Sequence, residues 1–186
     1  MRRASRPALP AIALTALLLA SLSAGCGAHR AQLPIEGAPL AREVDALERT
    51  LRALDAGVDA AEARRVAETA IVASGRLARE YRVVPPAKWH NLLIQMGFRE
   101  RGLCYHWTED LMRQLQGLNL ATLRLHWGVA HKGSDLREHN SVVVTAARQA
   151  FENGVVLDPW RNSGELFWAA VSTDSYPWRA LPPEEW

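Results

Sequence analysis

The stretch Arg101-Gly102-Leu103-Cys104-Tyr105-His106-Trp107 carries the chain from a loop into a helix. Five side chains from this stretch onward recur at helical spacing and share one face, namely Cys104, Trp107, Thr108, Leu111 and Leu115. We expect a helix that begins at Cys104 and ends near Gly117. Cys104 is then placed at the helix N-terminus with its side chain turned toward the protein.

Three further helices are predicted before this one. Apolar residues recur at helical spacing from Leu40, and Gly57 ends that run. Asp59 is a suitable N-cap for a second helix, which continues to about Tyr81. Pro85-Pro86 begins a third, which ends near Gly97. One side of this third helix is apolar and carries Trp89, Leu92, Leu93 and Met96.

After Gly117 the pattern becomes extended. Strands are predicted over 121–129, 141–145 and 155–157, with Asn153-Gly154 as a hairpin signal before the last of them. The segment 166–171 adds an edge strand or a short helix, and the aromatic tail over 177–186 is expected to be irregular. Helices followed by an antiparallel sheet predict an α+β fold.

The first 25 residues have the three parts of an export signal: arginines, an apolar stretch and small residues before a cleavage point. The segment Leu22-Ser23-Ala24-Gly25-Cys26 resembles a bacterial lipobox. That resemblance implies that Cys26 is lipidated and becomes the mature N-terminus. Gly27 stands where an aspartate would look like an inner-membrane retention signal, which favours the outer membrane, facing the periplasm.

The rest of the chain is long enough for one domain with one core. We expect a flexible tether over 26–39 and a single domain over 40–186, with a helical part over 40–81 and a catalytic core over 86–172. Removal of the signal leaves 19 basic and 20 acidic residues. This balance does not indicate nucleic-acid binding. The expected partners are a peptide or protein substrate in the cell envelope and the lipid membrane, through acylated Cys26.

Once Cys26 is lipidated, Cys104 is left without an intramolecular disulfide partner. A helix N-terminus favours the thiolate form of a cysteine, which is the nucleophilic form. His139 begins the strand that follows Arg137-Glu138 and contains 141–145, and an imidazole there is a suitable base. Asp158 ends the neighbouring strand and is suited to hold the imidazole in one tautomer.

The order and spacing of these three residues resemble the transglutaminase-like branch of the papain-like superfamily. The resemblance covers roughly 92–168 and rests on a helix-start cysteine after Gly-Leu, a strand-borne histidine and a Leu-Asp-Pro strand. It implies that Cys104 is the nucleophile, His139 the general base and acid, and Asp158 the orienting carboxylate. Papain-like enzymes often use an upstream glutamine as oxyanion donor, which would make Gln95 the candidate here beside the backbone amide of Cys104. Trp127 is the other donor considered.

Several plainer roles compete with these assignments. Three tryptophans either wall a cleft around Cys104 or belong to the core: Trp107, Trp127 and Trp160. Cys104 itself is either catalytic or a small buried hydrophobic residue. His106 faces solvent or caps the helix locally. A metal site would need His126, His131 and His139 with Cys104, but their spacing matches no familiar zinc pattern, so we predict no metal and no organic cofactor.

The sequence therefore predicts a membrane-anchored bacterial lipoprotein with a thiol hydrolase site. Its reaction would cleave amide or peptide bonds through a thioester, and peptidase or amidase outcomes are favoured over cross-linking because water is the default acceptor. The alternative is a non-catalytic, surface-tethered binding or assembly protein that retains the fold.

Overall fold

The computed structural model describes residues 38–186, in which four helices precede a five-stranded antiparallel sheet. The α+β class is confirmed. The helices are α1 (Ala38–Arg52), α2 (Ala60–Glu80), α3 (Ala87–Gln95) and α4 (Cys104–Gln116). The strands are β1 (Leu123–Ala130), β2 (His139–Ala146), β3 (Val155–Asn162), β4 (Glu165–Ala170) and β5 (Arg179–Leu181). The export signal, Cys26 and the tether up to residue 37 lie outside the described residues.

Local sequence signals predict where α2 and α4 begin. Asp59 is the N-cap of α2 and accepts a hydrogen bond from the backbone N–H of Glu62 at 2.8 Å. The helix predicted to begin at Cys104 begins there. No helix within 38–186 is long and apolar enough to cross a membrane.

The sheet has the order β4-β3-β2-β1-β5, so β2 is central. Of the segment 166–171, residues 166–170 belong to the edge strand β4, and Val171 begins a short 3-10 helix, Val171–Thr173. The predicted irregular tail is partly wrong, because Arg179–Leu181 pairs with Trp127–Val129 as β5. A strand of three residues is too short to show an alternation of apolar and polar side chains in the sequence. It forms because the free edge of β1 offers unpaired backbone N–H and C=O groups.

Both faces of the central strand are covered. Val142 and Val144 face the main core beneath α4, and residues of α1 and α2 belong to the same core. Val143 faces the other side and packs with Phe151, Val156 and Trp178. Every residue of β2 is buried as a result.

Helix α3 turns its apolar side to solvent. Trp89 and Leu92 on the helix and Met96 just after it are exposed, whereas His90 is buried. The His90 ring accepts the Val84 N–H at Nδ1, 3.2 Å away, which leaves Nε2–H to donate to the Arg101 carbonyl at 2.9 Å. These two backbone bonds orient α3, because a buried imidazole must be paired on both nitrogens.

A buried carboxylate joins the helices to the sheet. Glu62 on α2 accepts the backbone N–H groups of Ala121, Thr122 and Leu123 at 3.0, 2.9 and 2.7 Å. Burial raises the pKa of Glu62, but the backbone hydrogen bonds outweigh it and lower the pKa below its ordinary value of 4.5. Glu62 thereby fixes the start of β1 against α2.

Glu62→Ala should lower the free energy of unfolding by about 2–3 kcal/mol, because three N–H groups lose a charged acceptor. Glu62→Gln keeps the shape and one oxygen, so it should lose less. The difference in the free energy of unfolding between the wild type and Glu62→Ala should shrink as the pH falls below 4.5. A carboxyl group whose pKa is lowered by folding stabilises the protein only while it is ionised. Urea unfolding at several pH values measures this, and equal stability of the two proteins would contradict it.

Candidate active site

The first turn of α4 is held by side chains from its own sequence. His106 Nδ1 accepts the backbone N–H groups of Gly102 and Leu103 at 3.2 and 3.3 Å, and Trp107 Nε1 donates to the Gly102 carbonyl at 2.9 Å. His106 is thus a local cap. Burial and the charge of Arg101 lower its pKa, which keeps Nδ1 available as an acceptor. Cys104 is fixed at the first position of the helix by these bonds.

Gly102 lets the loop pass against α3. Its φ of +123° is one that L side chains rarely adopt, and a Cβ there would lie 2.4 Å from Nε2 of the buried His90. The loop that presents Cys104 is therefore packed directly on the imidazole that orients α3.

The structure brings His139 and Asp158 together across neighbouring strands. His139 Nε2 donates to Asp158 Oδ2 at 2.7 Å, and both side chains are buried. This bond leaves Nδ1 as the nitrogen available to the neighbouring Cys104 thiol, whose Sγ lies 3.9 Å from the Glu138 carbonyl oxygen and 3.9 Å from Asn140 Nδ2. Burial lowers the pKa of His139, but hydrogen bonds and charge from Asp158 and Cys104 outweigh it and raise the pKa to about 9. The ring is consequently protonated at neutral pH.

An arginine supports the carboxylate from behind. The Arg161 backbone N–H donates to Asp158 Oδ1 at 3.1 Å and its Nε–H to Oδ2 at 3.0 Å. Its remaining nitrogens donate to both oxygens of Asp174 at 2.9 and 2.8 Å, and Asp174 also accepts the Trp178 indole N–H at 2.7 Å. None of these contacts was predicted from the sequence. The spacing of three residues between Asp158 and Arg161 was a weak sequence signal for the contact between them.

Aromatic rings enclose the imidazole. Trp160 and Tyr176 each lie 4.7 Å from the His139 ring, centroid to centroid, and Trp178 lies 5.3 Å from it. Tyr176 and Trp178 also escaped the sequence analysis. Water is largely excluded from the His139–Asp158 bond by these rings, which strengthens the bond.

A cavity of about 700 Å³ opens beside the thiol. Its wall is formed by α3, the loop over 131–138, Trp160 and Tyr176, and Cys104 lies on it partly exposed. Gln95 is also on this wall, exposed at the end of α3. Cys104 is accordingly open to a ligand in the cavity.

Of the three tryptophans expected to wall the cleft, Trp160 does so. Trp107 does not, because it is 1% exposed and packs edge-on against Tyr81 with ring centroids 4.8 Å apart. Its position on the apolar face of α4 carries it into the core. Trp127 does not line the cavity but contacts Asn140, which does.

The histidines considered for a metal site are dispersed. His126 Nε2 bonds with Thr145 Oγ1 at 3.0 Å, whereas His131 contacts Arg137 at the cavity mouth. Within residues 38–186 no three or more His, Cys, Asp or Glu side chains are grouped so as to hold a metal ion.

The chain matches no protein-family model, no curated protein and no solved structure.

Gly102→Ala should destabilise the protein by more than about 3 kcal/mol, because the new methyl group meets the His90 ring as well as an unfavourable φ. Gly97→Ala is the matched control: its φ is +77° with nothing within 4 Å of the added Cβ, so it should cost about 1–2 kcal/mol. Thermal unfolding of both variants measures the difference. Similar losses in the two would contradict the packing of Gly102 on His90.

His139 should make stability depend on pH. A folded pKa raised from 6.5 to about 9 stabilises the protein fully below 6.5, and this contribution is lost as the pH rises through 9. The free energy of unfolding should therefore fall over this range more steeply in the wild type than in His139→Asn. Cys104→Ser keeps the His139–Asp158 pair and should keep most of the slope. Parallel curves for the wild type and His139→Asn would refute the raised pKa.

Proposed function

We propose that this protein is a thiol hydrolase or acyltransferase that acts on amide or peptide bonds, with a core of the transglutaminase-like branch of the papain-like fold. One observation carries the proposal: a partly exposed cysteine at a helix N-terminus lines the same cavity as a buried histidine whose Nε2 is bonded to a buried aspartate. This is the arrangement that nucleophile, base and orienting group require.

In the proposed reaction the Cys104 thiolate attacks the carbonyl carbon, and an S–C bond forms as the carbonyl oxygen takes the negative charge. Protonated His139 gives its proton to the leaving amine as the C–N bond breaks, which leaves a thioester. Neutral His139 then takes a proton from water, whose oxygen attacks the thioester and releases the acid. An amine acceptor in place of water gives acyl transfer.

The raised pKa of His139 suits this sequence of steps. Because the ring is protonated at neutral pH, its proton is in place before the amide nitrogen needs it. Asp158 holds Nε2, so the proton that moves is the one on Nδ1 beside Cys104.

We further propose that the protein is anchored in the outer membrane through acylated Cys26 and faces the periplasm. The chemistry uses side chains of the chain itself and calls for no metal or organic cofactor. An open cavity of about 700 Å³ is large enough for a segment of an extended peptide. A peptide or protein of the cell envelope is therefore the proposed substrate.

The nucleophile is tested by alkylation. Cys104 should react with iodoacetamide at neutral pH at least 10-fold faster than a free cysteine, because the protonated His139 ring pairs with the thiolate. His139→Asn should lose most of this advantage. His131→Asn is the matched control, since this histidine lies on the same cavity wall but contacts Arg137 instead of Asp158, and it should react like the wild type. Mass spectrometry of the labelled peptide gives the rates.

A non-catalytic binding protein is the second candidate. It is favoured by the exposed apolar residues Leu92 and Met96 on α3, the first of which lines the cavity beside Cys104. Alkylation of Cys104 at the rate of a free thiol, unchanged in His139→Asn, would overturn the hydrolase and favour this candidate.

A further inference from the structure

Asn140 places a polar side chain beside the nucleophile. It follows His139 on β2, is 8% exposed, and lines the cavity. Its Nδ2 lies 3.9 Å from Cys104 Sγ, at the long end of hydrogen bonding to sulfur. The same nitrogen donates to Glu138 Oε1 at 3.3 Å, so one of its two hydrogens is held there and the other faces the thiol.

Trp127 fixes which end of the Asn140 amide faces Cys104. The Trp127 indole Nε1–H lies 2.7 Å from Asn140 Oδ1. An indole nitrogen can only donate, so the atom it meets must be the amide oxygen. The amide NH₂ group is therefore directed to the thiol, and a flipped amide would set two donors against each other.

We propose that Asn140 Nδ2–H is an oxyanion donor, together with the backbone N–H of Cys104. This inference rests on the proposed thiol chemistry. In the tetrahedral intermediate the oxyanion is attached to the carbon that has bonded to Sγ. Asn140 Nδ2 lies 3.9 Å from Sγ, so it is close to the place where this oxyanion forms. It can therefore donate to the oxyanion at the 2.7–3.1 Å that such a hydrogen bond requires.

Asn140 takes the role for which Gln95 and Trp127 were considered. Gln95 is exposed at the end of α3, whereas Asn140 is nearly buried and its amide is held at both ends. The indole N–H of Trp127 is used by Asn140, so Trp127 is a positioning residue. Preorganised donors of this kind need no rearrangement as charge develops.

Two reagents separate this role from that of the nucleophile. Iodoacetamide alkylates Sγ by displacing iodide, and no oxyanion forms. With p-nitrophenyl acetate, an S–C bond forms through an oxyanion and p-nitrophenolate leaves, so acylation needs the donor. Both rates are measured on the full-length protein, the second from the burst of p-nitrophenolate.

Asn140→Ala should lower the acylation rate by about 100-fold while the alkylation rate changes by less than about threefold, since a neutral amide adds little to a thiolate already paired with protonated His139. Trp127→Phe keeps the ring but frees the amide, and acylation should fall by about 10-fold with alkylation retained. If Asn140→Ala does not fold, Trp127→Phe gives the answer.

The outcomes distinguish the two proposals. A wild type with fast alkylation and an acylation rate that neither Asn140→Ala nor Trp127→Phe lowers would overturn the role of Asn140 alone. Loss of acylation in Gln95→Ala instead would also overturn it. A wild type that reacts with neither reagent faster than a free thiol overturns the proposed thiol chemistry and this inference with it.

Discussion

The hydrogen bond between His139 and Asp158 joins strands β2 and β3 at the point where the site is built. It places a buried carboxylate and a buried imidazole 2.7 Å apart, and neither group would be stable there alone, because an unpaired buried charge costs several kcal/mol. The surrounding structure can be understood from this requirement. Arg161 neutralises the carboxylate, Asp174 neutralises Arg161, and the Trp178 indole satisfies Asp174.

His139, Asp158, Arg161 and Asp174 thus form a chain of alternating charges that runs from the cavity into the protein. Cys104 lies beside its outer end, partly exposed on the cavity wall. Because the inner members are fixed by bidentate and aromatic contacts, the imidazole has one orientation available. Burial of polar groups is costly for folding, and here it is concentrated around the histidine that the proposed reaction uses.

The sequence predicted what local chemistry determines. The Asp59 cap and the start of α4 at Cys104 follow from residues within one turn of each other. The contact of His139 with Asp158 was also within reach, because β2 and β3 are neighbouring antiparallel strands, which brings the start of one beside the end of the other. The partners of Arg161 and the pairing of β5 were not, since both depend on segments that meet only in the folded protein. The orientation of α3 was not predicted, because the two backbone bonds that hold His90 inward are made to Val84 and Arg101, which lie outside the helix.

The aromatic residues around His139 come late in the chain. Cys104, His139 and Asp158 precede Asp174, Tyr176 and Trp178 in sequence, although the rings of the last two lie against the imidazole. Because the chain is synthesised from its N-terminus, the thiol, the imidazole and the carboxylate are made before the aromatic rings that enclose the imidazole. Full assembly of the site has to wait until the segment through Trp178 has been made.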